Sequence, residues 1–161
     1  ATTTSTANVE WVKALGADVV IDYKKQDFET ELHDFDVVLN SQNNKVLMKS
    51  VEVLKPGGQI ISLSGPPTAE FAQMKGLSWM LRQVMRLLSS GIRRKARKHG
   101  VNYAFLFMRA DGAQLQKITL LIEAGVIKPV IDRSFPFEST AEALQYVEQG
   151  RSKGKVILKI K

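Results

Sequence analysis

Cysteine is absent from the 161 residues, which excludes a disulfide framework and every cysteine-ligated zinc site. Histidine occurs only twice, at His33 and His99. The two are far apart, neither has a nucleophile motif nearby, and no metal centre is expected. Long apolar runs are also missing. None approaches the roughly 20 residues that span a bilayer, and no signal peptide opens the chain. A membrane partner is therefore not expected, and the cytoplasm is the expected compartment. Also absent is any glycine-rich G-x-G-x-x-G turn; the glycines at 57-58, 65, 91, 100, 112, 125, 150 and 154 have other spacings.

Acidic residues are missing from one place in particular. Between Arg82 and Lys98 the chain carries Arg82, Arg86, Arg93, Arg94, Lys95, Arg97 and Lys98 and no Asp or Glu, so this segment alone accounts for the net charge of +7. Its run from Ile92 to His99 has no interleaved aromatics and no recognisable nucleic-acid-binding fold around it. A solvated helix end is the expected role, and nucleic acid is an unlikely partner. What remains is ordinary for an ordered domain: 44% hydrophobic and 24% charged residues, with a mean hydropathy of -0.11. A chain of this length can bury roughly 68–70% of its unfolded surface.

Apolar periodicity alternates between strand and helix almost throughout. A short strand near Thr2 to Thr4 leads to a helix from about Thr6 to Leu15, which Ser5 or Thr6 can cap and Gly16 can end. A strand Val19 to Ile21, a short helix at Phe28 to Leu32 and a strand Asp36 to Leu39 follow. Next come a helix from about Lys45 to Leu54, Pro56-Gly57-Gly58 as its stop, and a strand Gln59 to Ser62. Beyond the loop Ser64 to Thr68, a less regular stretch contains helical spacing from Leu77 to Leu88. A strand Asn102 to Met108, a helix Ala113 to Ala124, a strand Lys128 to Arg133, a helix Ser139 to Glu148 and a strand Lys155 to Ile160 complete the chain.

Continuous apolar strands separated by helices predict an α/β fold, a Rossmann-type doubly wound parallel sheet covered on both faces. Such a sheet normally opens with a strand, a glycine-rich turn and a helix whose amides hold a pyrophosphate. That opening is not found, so the sheet is expected to be incomplete at its N-terminus, with the first strand and glycine-rich turn missing, and the chain to be a portion of a longer protein. In the strand order 3-2-1-4-5-6 the missing strand belongs in the middle, leaving two unpaired edges, while Asn102 to Met108 forms an outer edge.

Three stretches carry a family resemblance: Thr4 to Asn8 with Leu15 to Tyr23; Leu54-Lys55-Pro56-Gly57-Gly58 with its following strand; and Gly125 to Asp132 through Gly150 to Val156. Together they resemble the C-terminal half of medium-chain dehydrogenases/reductases, in the zinc-free, quinone oxidoreductase-like branch. The resemblance implies a partial NADP-binding Rossmann domain over residues 1-108 and, over 109-161, a segment that returns to a catalytic domain. It implies NADP as cofactor, with NAD as the alternative, and hydride passing to a quinone or enone. The small-molecule electron acceptor would be the principal partner. It further implies a homodimer paired through the strand near 102-108. No catalytic residue is assigned, because the groups that polarise the acceptor belong to the other half of the family's fold.

The cofactor-binding residues implied are Thr4 and Ser5 near the adenosine 2′-phosphate, with Tyr23 beside the same phosphate. Ala7 and Asn8 stand where the family often has a basic residue. Asn40, Ser41, Ser62, Leu63 and Ser64, with Gly65 following, match the cleft at the strand ends, Phe107 the nicotinamide side, and Lys155 a basic residue reaching the phosphates. Read as residues alone, each has a plainer role. Thr4 and Ser5 also suit helix capping, Tyr23 and Lys155 suit solvated strand ends, and Phe107 suits packing. One other enzyme class shares part of the pattern: Phe35 to Asn40 followed by Leu54 to Gly58 imitates class I S-adenosylmethionine-dependent methyltransferases. These close with an antiparallel hairpin, whereas here strand, helix and strand continue to the end. A basic anion- or nucleic-acid-binding module is the non-enzymatic alternative.

Overall fold

The computed structural model describes residues 1–150 and 152–160. The chain divides into two compact units, Ala1–Met108 and Arg109–Lys161. In the first unit the strands are β1 (Thr2–Thr4), β2 (Val20–Asp22), β3 (Phe35–Asn40), β4 (Leu54–Ser62) and β5 (Asn102–Phe105). Helices α1 (Val9–Ala14), α2 (Phe28–Glu31), α3 (Asn44–Ser50), α4 (Ala69–Met74), α5 (Trp79–Leu88) and α6 (Ser90–Lys98) connect them. Every pairing is parallel, as crossovers through helices require.

The sheet is in two pieces. β1 pairs with β2, and β3-β4-β5 form a separate three-stranded ladder. Among the described residues β1 and β3 share no ladder; a cavity of about 520 Å³ lies between them, lined by Ala1, Thr2 and Thr3 on one side and Phe35 and Val37–Asn40 on the other. Within each ladder the neighbours are those of the expected 3-2-1-4-5-6 order.

The core belongs to the three-stranded half. Leu47, Val51, Leu54, Ile60, Ile92, Ala96 and Val101 form one buried cluster, with Phe35, Val38, Met48 and Tyr103 packed on it. Each fully buried Leu or Ile contributes roughly 1.5–3 kcal/mol relative to exposure. Ile92 and Ala96 come from the basic segment, which is not a solvated helix end but an amphipathic helix, α6, with two small apolar residues in the core and its charges outside.

Several boundaries differ from the periodic reading. α3 ends at Ser50 rather than Leu54, because Val51, Val53 and Leu54 are drawn into the core as turn and strand. Pro56-Gly57-Gly58 is therefore not a stop before the strand but an irregularity within β4: Phe35 pairs with Leu54 and Val37 with Gln59. Gly57, at φ 86°, supplies the left-handed conformation that this bulge needs. Helix α4, capped by Thr68 through its Oγ1 accepting from the Phe71 amide at 3.2 Å, has no counterpart in the expectations. β5 stops at Phe105 because β4, its partner, ends opposite at Ser62.

The second unit contains α7 (Gly112–Glu123), β6 (Ile131–Pro136), α8 (Thr140–Glu148) and β7 (Lys155–Lys159). β6 lies three residues later than the apolar pattern places it, since Pro129 has no amide to give a ladder. β6 and β7 pair in parallel with α8 as the crossover, and Phe135 and Ala143 are buried between them. Among the described residues no helix is long and apolar enough to cross a membrane.

Candidate functional site

Parallel strands deliver their carboxyl ends, and the loops that follow, to one edge of a sheet, which is where open α/β sheets bind ligands. At the ends of β1 and β2 the organising group is Asp22, which is buried. Its carboxylate accepts from the Thr6 hydroxyl at 2.6 Å and from the Lys24 amide at 3.1 Å, with the Lys25 ammonium at 3.8 Å. The Thr6 hydrogen bond above all holds this carboxyl below its ordinary range, against the opposing effect of burial. The Tyr23 amide donates to the Thr4 carbonyl at 3.1 Å, so the ends of β1 and β2 lie side by side. Neither proposed cap operates: Ser5 makes no side-chain capping bond, and the Thr6 hydroxyl is committed to Asp22. Tyr23 is 58% exposed.

The ends of β3, β4 and β5 are tied by a buried polar network. The Ser62 hydroxyl donates to Asn40 Oδ1 at 3.2 Å, and the Gly65 amide donates to Ser62 Oγ at 2.8 Å. The Tyr103 hydroxyl donates to the Pro66 carbonyl at 2.7 Å. Leu63 donates its amide to the Asn40 carbonyl at 2.8 Å, and Ser64 donates its hydroxyl to the Gln42 carbonyl. Burial pushes the Tyr103 phenol up to about 12, with the Ser62 hydroxyl opposing. A Cβ at Gly65 would come within 2.7 Å of Leu47, Ser62 and Tyr103 side-chain atoms, so only glycine lets the loop pass this close.

These positions divide by access. Ser62 and Asn40 are buried and hold the two strand ends in register, whereas Ser41, Leu63 and Ser64 are exposed. A second cavity of about 470 Å³ includes Tyr23, Gln26, Asn43, Lys45 and Lys49 in its lining. It shares Thr3, Phe28, Gln42 and Val46 with the cavity between β1 and β3, so the two strand-end clusters meet. Lys49 is held by Asp27 at 2.8 Å and by Glu29, hydrogen bonds that raise its pKa. Asn43 caps α3 by accepting from the Val46 amide at 3.1 Å. Phe107 lies beyond β5, 61% exposed, with its ring 6.2 Å from Phe71 and 6.4 Å from Phe105. Lys155 opens β7 in the second unit and is exposed.

Sequence reasoning missed Asp22, Thr6, Tyr103 and the wall formed by Gln26, Asn43 and Lys45. The one available signal was an acid directly closing the apolar run Val19-Val20-Ile21, a place where a carboxylate is stable only with partners. As a donor set the edge suits a phosphorylated ligand: hydroxyls from Ser5 and Tyr23, the ammonium of Lys45, and acids already bonded to neighbours. Among the described residues no group of three or more His, Asp or Glu side chains could hold a metal ion.

The parallel strands and helical crossovers define an α/β domain of the Rossmann type. A family model described as "Zinc-binding dehydrogenase" matches residues 15–158, and the chain belongs to that family, in the quinone oxidoreductase-like branch of the medium-chain dehydrogenases/reductases. It is 32% identical over 163 residues to a 2-methylene-furan-3-one reductase of Solanum lycopersicum, covering 98% of this chain and 32% of that protein. It is 33% identical over 159 residues to the mitochondrial NAD(P)H oxidoreductase RTN4IP1 of Bos taurus, covering 94% of this chain and 39% of that protein. The fold matches the quinone oxidoreductase of Coxiella burnetii with a TM-score of 0.72 at 22% identity, over 99% of this chain and 44% of that one. The chain thus spans less than half the length of these relatives. The methyltransferase alternative is not favoured, since β6 and β7 close the chain in parallel and the relatives are oxidoreductases by name.

Proposed function

We propose that this chain is the cofactor side of an NADP(H)-dependent oxidoreductase, residues 1-108 forming the dinucleotide-binding domain and 109-161 the segment that returns to a catalytic domain. The observation that supports the reading is the meeting of the β1–β2 and β3 carboxyl ends on two cavities that share lining residues. Thr4, Ser5 and Tyr23 would hold the adenosine phosphate, with Asp22 fixing their turn. Asn40 and Ser62 would keep the cleft open at its width while Ser41, Leu63 and Ser64 face the ligand. Phe107 would shield the nicotinamide side. When bound, the nicotinamide supplies the hydride, and the protein supplies geometry and electrostatics. NADP is the cofactor proposed, with NAD the alternative, and the acceptor is a small quinone or enone.

A further parallel strand beside β1 and β3 would complete the sheet and bring the phosphate-gripping turn. The open edge of β5 supports pairing with a twin to form a homodimer. The setting is the cytoplasm or an organelle with a nicotinamide pool, since relatives carry mitochondrial and chloroplastic names.

Titrating the chain with NADPH and NADH, read by nicotinamide fluorescence, tests the reading. NADPH should bind more tightly than NADH, and Tyr23→Phe should weaken NADPH by about fivefold, the loss of one hydrogen bond of about 1 kcal/mol. Neither nucleotide binding to a chain with intact circular dichroism, or retention of S-adenosylmethionine instead, would overturn it. The chain alone should show no turnover with NADPH and a quinone.

A further inference from the structure

Helix α5 is mounted with its apolar side outward. At helical spacing Met80, Val84, Leu87 and Leu88 fall on one face, opposite Arg82 and Arg86. Met80 is 70% exposed, Leu87 74% and Leu88 62%. The side turned toward the protein carries Arg82, Met85 and Ser89 instead: the Arg82 Nε donates to the Leu77 carbonyl at 3.0 Å, and Ser89 is fully buried. Trp79, 72% exposed, begins the helix at the boundary of the two faces. A soluble helix normally buries the stripe that α5 displays.

What surrounds this face distinguishes it from other uncovered apolar residues. α7 also exposes Leu115, Leu120 and Leu121, but Lys117 is its only base. Around α5 the whole basic excess of the molecule is concentrated. α6 follows directly at Ser90, and because Ile92 and Ala96 are anchored in the core, Arg94, Arg97 and Lys98 are left exposed. Lys95 is spent on Glu52 at 2.5 Å and Arg93 lies 4.0 Å from Glu70; no acid occurs from Arg82 to Lys98. An apolar stripe with an aromatic at its margin, followed directly by a helix whose exposed side chains are cationic, is complementary to an interface that is itself apolar beneath and anionic at its surface.

We propose that α5 and the outer face of α6 form a peripheral docking surface for an anionic lipid bilayer, the apolar side of α5 lying at the headgroup boundary and Arg94, Arg97 and Lys98 meeting lipid phosphates. Surface attachment needs no spanning segment, so it is consistent with the lack of long apolar runs. It would also bring the chain to where apolar substrates dissolve.

The test uses the 161-residue chain carrying Trp11→Phe, so that Trp79 is the sole tryptophan, and two vesicle types: phosphatidylcholine alone, and the same lipid with about a third phosphatidylglycerol. The anionic vesicles should sediment the chain and shift Trp79 emission to shorter wavelength, with high salt weakening the association. Replacing Arg94, Arg97 and Lys98 by Gln should lower partitioning by roughly tenfold or more. The pair Met80→Ser and Leu87→Ser should abolish the emission shift. Should that pair fail to fold, the charge variant and the salt dependence decide alone. Equal binding to neutral vesicles, or no binding by a chain with native circular dichroism, overturns the proposal. So does an emission shift that grows with protein concentration in the absence of lipid, which assigns the face to a second copy. Retention by an oligonucleotide with none by vesicles also overturns it.

Discussion

The two pieces of the sheet in the first unit are held by different physics. β3-β4-β5 sits on a continuous apolar core with α3 and α6, and even its polar end-network is buried and shared among Asn40, Ser62, Gly65 and Tyr103. In the β1-β2 pair only Ile21 and Asp22 are buried, and the turn between strand and helix hangs on the carboxylate of Asp22. Rigidity is concentrated where the cleft's floor must hold its shape. The side that would meet adenosine phosphate is set by a few polar contacts, and local opening is easiest there.

The largest effect should come from the strong side. Leu47→Ala removes a fully buried side chain at the centre of the cluster and should cost about 2–5 kcal/mol in urea denaturation. Hydrogen exchange should sharpen the contrast, with Ile60 and Ile61 amides protected far longer than those of Thr3 and Ile21. Equal protection would mean that the pair is not the weaker piece. A smaller loss, about 1–2 kcal/mol, is expected for Tyr103→Phe, which orphans the Pro66 carbonyl; it should loosen the loop at Gly65 and leave the β1-β2 pair unchanged.

The smallest change should be confined to acid and to the weak side. Because the folded structure lowers the pKa of Asp22 below its ordinary 3.8, its stabilising contribution is complete above that value and is lost as pH falls through the lowered one. Asp22→Asn should remove this limb of the acid titration curve. An unchanged limb would show that other carboxyls dominate it.

Much of this contrast was legible in the residues. The order of strands within each ladder and their parallel sense follow from alternating periods. Packing details were not. The basic run conceals Ile92 and Ala96, two residues too few and too far apart among charges to advertise a buried face. Pro56-Gly57-Gly58 reads locally as a stop, and only the tertiary demand to bury Val51 and Val53 turns it into a bulge. At the site, hydroxyl-bearing strand ends were visible, whereas Tyr103 reaches Pro66 from a strand distant in sequence, where spacing carries no signal.

The close passage of the loop at Gly65 has a consequence for replacement. A methyl group there would press on Leu47, Ser62 and Tyr103 together, so no compensating change in one neighbour makes room for it. The core and the rim of the cleft are bound to vary as a unit.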